Sequence, residues 1–279
     1  MTSHASSKKS SPVQDDRILP LTRIVLIVVI PFLLLAFLIL YAFPERSGER
    51  FAWEINPFMT ARFIGSGYLA GAYMFLFAIF GRRWHHVKAA FPAVTFFTIA
   101  MLLATLLHWG RFDIKHFPFQ LWLVLYIVTP FLVPYLWNKN RGSDAGVPGA
   151  NDVPVPFLAK TAFAVSGITG LVMALVMFIS PETMVALWPW ALTPLTARVL
   201  GGWFGLLGVG GVYASQDPRW SAWRVPLQAI TLWGILIMIG AFLNPQDFPD
   251  GLWNLFTIGT TSVIISLIAF QVGMELRRR

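Results

Sequence analysis

The sequence predicts an all-α integral membrane protein with eight transmembrane helices, arranged as two tandem four-helix repeats. Three observations support this fold class. Hydrophobic residues make up 56% of the 279 residues and charged residues only 12%, whereas about a quarter of the residues in a soluble domain are charged. Eight uncharged apolar runs are each long enough to cross a bilayer as a helix. Short motifs of the first half also recur in the same order in the second half.

The chain begins with a polar, serine-rich segment at 1–17, which we interpret as a disordered cytoplasmic tail. The first apolar run, at 24–43, exceeds the about 7–15 apolar residues of a signal peptide, so we expect a retained helix. Helices are the expected form because a bilayer offers exposed backbone groups no hydrogen-bond partners. The other seven runs lie at 63–81, 89–110, 117–138, 161–181, 199–216, 225–246 and 251–274.

Lys and Arg are distributed unevenly between the two sets of loops that these runs define. Of the 21 basic residues, 15 lie in the tails and in the loops after the second, fourth and sixth runs. Because basic residues accumulate on the cytoplasmic side, we predict cytoplasmic termini. We assign this multi-pass protein to the plasma (inner) membrane because no organelle signal is evident in the sequence. The net charge of +8 is then a consequence of topology, and we expect no nucleic-acid partner.

Motifs shared by the two halves indicate a tandem duplication. We assign repeat 1 to 18–138, a Gly- and Pro-rich cytoplasmic linker to 139–157 and repeat 2 to 158–279. Since four helices per repeat give both halves the same orientation, we expect a pseudo-two-fold axis along the membrane normal. The matched motifs are Pro44-Glu45 with Pro181-Glu182 at an offset of 137, Thr60-Ala61-Arg62 with Thr196-Ala197-Arg198 at 136, and Phe117-Pro118 with Phe248-Pro249 at 131.

Two repeat-related arginines, Arg62 and Arg198, fall just inside the predicted outer surface of the membrane. An arginine at this depth is a functional-site hypothesis, and a pair facing one vestibule could bind a carboxylate or phosphate. The structural alternative pairs Arg62 with Glu45 and Arg198 with Glu182, or lets each arginine reach the headgroups. The sequence leaves both interpretations open.

Glycines in the second and sixth runs form small-residue patterns that favour close helix contacts. We predict that these two helices pack closely; a glycine-lined permeation path is the alternative. The glycines are Gly65, Gly67, Gly71, Gly201 and Gly205.

The last run is the most polar. Thr257, Thr260 and Thr261 share one face of a helix through their spacing. They either hydrogen-bond to their own backbone or form a stripe that faces a solute.

Catalytic and metal motifs are absent from the sequence. No Asp or Glu lies in the centre of a run, and the absence of cysteine excludes disulfides and thiol chemistry. We therefore predict no cofactor and no resident metal, with His108, His116 and Asp113 as a minor metal alternative. Enzymatic activity stays open, although the missing acid–base cluster argues against it.

Three function classes follow. A small permease or channel-like transporter with an outward-facing vestibule for anions fits the repeats and paired arginines. A non-catalytic accessory or interaction subunit, as a homo- or hetero-oligomer, fits the lack of a buried charged site. A membrane enzyme acting on an apolar substrate fits least. The expected partners are the lipid bilayer and a small anionic or apolar solute.

Overall fold

The computed structural model describes residues 15–81 and 83–278, so most of the predicted tail at 1–17 lies outside the described residues. Within those ranges the chain is helical and has no strand. Eight helices are long and apolar enough to cross a membrane, which confirms the multi-pass, all-α prediction. They are α1 Pro20–Ala42, α2 Phe58–Phe80, α3 Ala90–Leu107, α4 Phe117–Asn140, α5 Phe157–Ile179, α6 Pro194–Ser215, α7 Trp220–Leu243 and α8 Leu252–Arg278.

Local sequence explains several helix boundaries. Pro20 and Pro194 occupy the first turn of α1 and α6, where the missing N–H costs no hydrogen bond. At α6 the Thr193 side chain also accepts from the backbone N–H of Thr196, completing a capping box. At α1 the last turn widens to a π-helix over Leu38–Ala42.

Four helices form the centre of the bundle and four lie outside. α1 packs on α2, α5 on α6, α3 on α4 and α7 on α8, while α3 contacts α6 and α2 contacts α7. Burial follows this arrangement: 56% of the most apolar stretch of α2 and of α6 is buried, against 6% for α8. α1, α4, α5 and α8 therefore present their outer faces to the surroundings.

The most extensive helix contact joins α5 to α6. A methyl group on Gly167 would lie 2.8 Å from the carbonyl oxygen of Gly208 and from the backbone nitrogen of Val212. Only glycine allows this approach of two backbones.

The helices define two faces. The terminal face carries residues 15–19, 81, 83–89, 141–156 and 216–219, and the distal face carries 43–57, 108–116, 180–193 and 244–251. The linker predicted at 139–157 lies against the terminal face. There the backbone of Val155 donates to Pro218 and that of Trp220 donates to Val153.

Candidate functional site

An apolar cleft of about 180 Å³ separates α1 from α4. The two helices make little backbone contact with each other. Instead, α1 packs on α2, and α4 packs on α3. Residues of both outer helices and of the inner α2, α3 and α6 line the cleft. They include Leu33 and Ala36 of α1, Gly71 of α2, Phe97 of α3, Leu125 of α4 and Trp203 of α6.

Side-chain contacts lie at both ends of the cleft. On the terminal side, the Asn140 amide donates to the hydroxyl of Thr22 and accepts from the backbone N–H of Leu19. On the distal side, the Phe51 ring packs edge-on against Trp122, with centroids 5.5 Å apart. Leu35 of α1 stands exposed on the rim of the cleft.

Two tyrosines supply hydroxyls to the cleft lining; the hydroxyls of Thr98 and Thr129, which also line it, donate to carbonyls of their own helices. The hydroxyls of Tyr68 and Tyr126 lie 3.2 Å apart, and both side chains are more than nine-tenths buried. Trp203 also lines the cleft and is 4% exposed, yet its indole N–H has no partner among the described residues. Because an unsatisfied buried donor costs about 1–3 kcal/mol, this wall favours an incoming acceptor.

A second apolar cavity, of about 120 Å³, lies between the two halves. Both cavities share several lining residues, among them Gly67, Gly71 and Trp203, so they are neighbours. Apart from Arg50 on the rim of the cleft, no Asp, Glu, Lys or Arg lines either cavity. These two cavities between the helices are thus apolar.

Arg62 bridges helices on the distal face. Its Nε donates to the carbonyl of Tyr41 at 3.2 Å, and its Nη1 donates to the side-chain oxygen of Asn244. Glu45 lies near Arg46 instead, at 4.0 Å. Arg62 thus joins the end of α1 to the residue that follows α7.

Arg198 has a parallel set of partners. Its Nε donates to the carbonyl of Phe178 at 3.1 Å, and its Nη1 lies 2.7 Å from Nε2 of His108. Burial lowers the pKa of His108, and the positive charges of Arg198 and Arg111 add to this effect. A neutral imidazole can accept the arginine's hydrogen bond. Among the described residues, neither Arg198 nor Arg62 forms an ion pair with Glu182 or Glu45.

The predicted glycines lie at contacts with different neighbours. A methyl group on Gly67 would lie 2.6 Å from the Trp203 ring of α6, whereas Gly65 faces α1. Gly201 faces α5 and Gly205 faces Phe96 of α3.

The threonines of α8 are not brought to either cavity. Thr257 is buried, and its hydroxyl donates to the carbonyls of Trp253 and Asn254 in its own helix. Thr261 is exposed and Thr260 is half-buried.

The terminal face holds a charged network that the sequence analysis missed. Lys88 and Arg219 both contact Asp144 and Asp217 at 2.6–2.9 Å. Burial would raise the pKa of Asp217, but hydrogen bonds from Arg219 and Lys88 outweigh it and lower that pKa to about 2. Because Asp144 belongs to the linker, the network fastens the linker to two interhelical loops.

A second chain of hydrogen bonds lies beside this network. The His85 ring contacts Asp16 through Nδ1 and Ser221 Oγ through Nε2, the latter at 2.9 Å, and Ser221 donates to Asp152. Asp16, His85 and Asp144 are close enough to share a metal ion. However, Lys88 and Arg219 already donate to both carboxylate oxygens of Asp144, which makes it a poor ligand.

His116, like His108 on the same distal face, also has a protein partner. The ring Nε2 of His116 lies 3.0 Å from the carbonyl of Phe51, and Asp113 accepts from the backbone of Lys115. The described residues do not bring Asp113, His108 and His116 together as a metal-binding group.

Comparison with known proteins adds no relative: no family model matches the chain, and neither a curated protein nor a solved structure does.

Replacing Asp144 with Asn should loosen the linker, because removing one partner of a buried ion pair costs about 3–5 kcal/mol. We expect proteinase K at pH 7 to cleave within 139–157 at least about tenfold faster. Asp113→Asn on the distal face is the matched control and should leave cleavage unchanged.

Acid should likewise loosen the linker of the wild-type protein. A carboxylate with a lowered pKa stabilises the fold above its unfolded value of about 3.9. That contribution is lost as the pH falls through the folded pKa of Asp217, about 2. Pepsin cleavage of the linker should accordingly rise between about pH 4 and 2, and an unchanged rate across that window contradicts the network's role.

Proposed function

We propose that the protein is a non-catalytic membrane subunit that binds an apolar solute, which enters the α1–α4 cleft sideways from the bilayer. The cleft itself carries this proposal. Its volume of about 180 Å³ exceeds that of an engineered apolar cavity of about 150 Å³ that stays dry and binds benzene. Water is a poor occupant of such a space, whereas an acyl chain or a small ring fits it.

Selectivity in this cleft cannot come from the hydrophobic effect alone. Lipid tails are as apolar as the cleft walls, so moving a solute between them gains little hydrophobic free energy. Shape and the few polar groups of the lining must then distinguish the solute from bulk lipid. The aromatic lining, with Phe97, Trp122 and Trp203, supplies a rigid surface for this purpose.

Filling the cleft should abolish binding. A methyl group on Gly71 would meet only the Leu33 side chain, at 3.8 Å, so Gly71→Phe places a ring in the cleft without striking backbone. We expect photolabelling by diazirine-bearing palmitate to modify residues of α1 and α4, to be displaced by excess palmitate, and to be lost in Gly71→Phe. Mass spectrometry of the adducts measures this.

The matched control is Gly259→Phe on α8, where a new side chain meets nothing within 4 Å. This variant should keep displaceable labelling of the cleft. Labelling that palmitate cannot displace, or that survives in Gly71→Phe, contradicts the proposal.

The tandem duplication belongs to the same proposal. In the proposed duplication α2 corresponds to α6, and α7 corresponds to α3. The contact between α2 and α7 therefore has a counterpart between α6 and α3, and both contacts are present. The partners of Arg62 and Arg198 follow the same rule, because Tyr41 and Phe178 differ by 137 residues. These correspondences support a pseudo-two-fold relation of the two repeats.

The anion vestibule of a permease is the second candidate function. Its support is the pair of distal arginines, which differ by 136 positions. The hydrogen bonds of Arg62 to Tyr41 and Asn244 favour a structural role instead. We therefore expect Arg62→Gln to lower the thermal unfolding temperature, whereas Arg46→Gln, on the exposed loop, should not. Unchanged stability with loss of bound sulfate in Arg62→Gln would favour the vestibule.

The charge distribution further supports the plasma membrane as location, with the terminal face cytoplasmic. The tails and terminal-face loops carry 15 of the 21 basic residues. A reporter fused after Arg279 should be active in the cytoplasm, and an external signal contradicts this orientation.

A further inference from the structure

We infer that the solute of the α1–α4 cleft carries an uncharged oxygen acceptor, as in a quinone or ester carbonyl, and that the Tyr68–Tyr126 pair donates to it. This inference rests on the proposed binding function and names the chemical class of the solute. Both tyrosines line the cleft, and their side chains are 5% and 7% exposed.

The tyrosine pair has one more hydroxyl proton than its mutual hydrogen bond uses. Each tyrosine hydroxyl has one proton, and the single bond between Tyr68 and Tyr126 uses one of the two. Neither hydroxyl has another partner among the described residues. One buried donor therefore remains for an acceptor in the cleft.

Two tryptophans pack beside the tyrosine pair, and the indole N–H of one of them has no acceptor among the described residues. Trp122 donates to the hydroxyl of Thr105 at 2.9 Å and is thereby satisfied. Trp203 is packed against Tyr68, with ring centroids 5.3 Å apart, and its N–H is buried and unpartnered within the described chain. Two donors without acceptors thus belong to side chains of one apolar wall.

The class of acceptor follows from charge. No Lys or Arg lies near this part of the lining, and Arg50 is on the exposed distal rim. An ionised carboxylate or phosphate at the tyrosine pair would be buried without a counter-charge, which is costly. A neutral carbonyl accepts a hydrogen bond without that cost, and a flat ring suits the aromatic wall.

The test compares duroquinone with durene, which has the same tetramethyl ring but lacks the two carbonyl oxygens. Each competes against diazirine-palmitate labelling of the cleft. One hydrogen bond should make duroquinone about two- to tenfold more effective than durene. In the double variant Tyr68→Phe/Tyr126→Phe the preference for duroquinone should fall, because both hydroxyl donors are gone and the Trp203 N–H is the free donor left on this wall.

Tyr73→Phe is the matched control, since the Tyr73 hydroxyl donates to Gln228 at 2.8 Å and is absent from the cleft lining. It should keep the preference for duroquinone. Equal competition in the wild-type protein, or an undiminished preference in the double variant, overturns the inference but leaves displaceable labelling intact. Labelling that no competitor displaces instead refutes the binding function itself, and the inference with it.

Discussion

Two arginines hold the distal ends of six of the eight long helices. Arg62 of α2 donates to the carbonyl of Tyr41 at the end of α1 and to Asn244, which follows α7. Arg198 of α6 joins the end of α5 to His108, which follows α3. The last carbonyls of a helix lack partners within it and attract positive charge. Each guanidinium therefore satisfies a helix end and links the two halves at once.

The cleft exists because α4 is outside this arrangement. On the distal side α1 is held by Arg62, whereas α4 packs on α3 and contacts neither arginine through the hydrogen bonds of the described residues. On the terminal side the Thr22–Asn140 hydrogen bond draws α1 and α4 together. Between these ends, the rings of Trp203 and Phe97, 4.4 Å apart, occupy the space behind the gap. The helices cannot close over such bulky side chains, so an apolar space remains.

Apolar length predicted the eight helices because a bilayer leaves a long uncharged segment few alternatives. Sequence pattern also singled out both arginines, but not their partners: Arg62 and Asn244 are 182 residues apart. The linker composition indicated a loop and concealed the buried role of Asp144. Tyr68 and Tyr126 were missed since aromatic residues in apolar helices usually indicate packing, and only the fold brings their hydroxyls together.

The two halves differ at the positions of the two tyrosines that line the cleft. Under the proposed duplication, Tyr126 corresponds to Thr257 at an offset of 131, and Tyr68 corresponds to Phe204 at 136. Thr257 donates to carbonyls of its own helix, and phenylalanine has no donor. The second half cannot present the same free hydroxyl to a solute. Under the proposed duplication, the arginine bridges have counterparts in both halves, whereas among the described residues the tyrosine pair belongs to the first half alone.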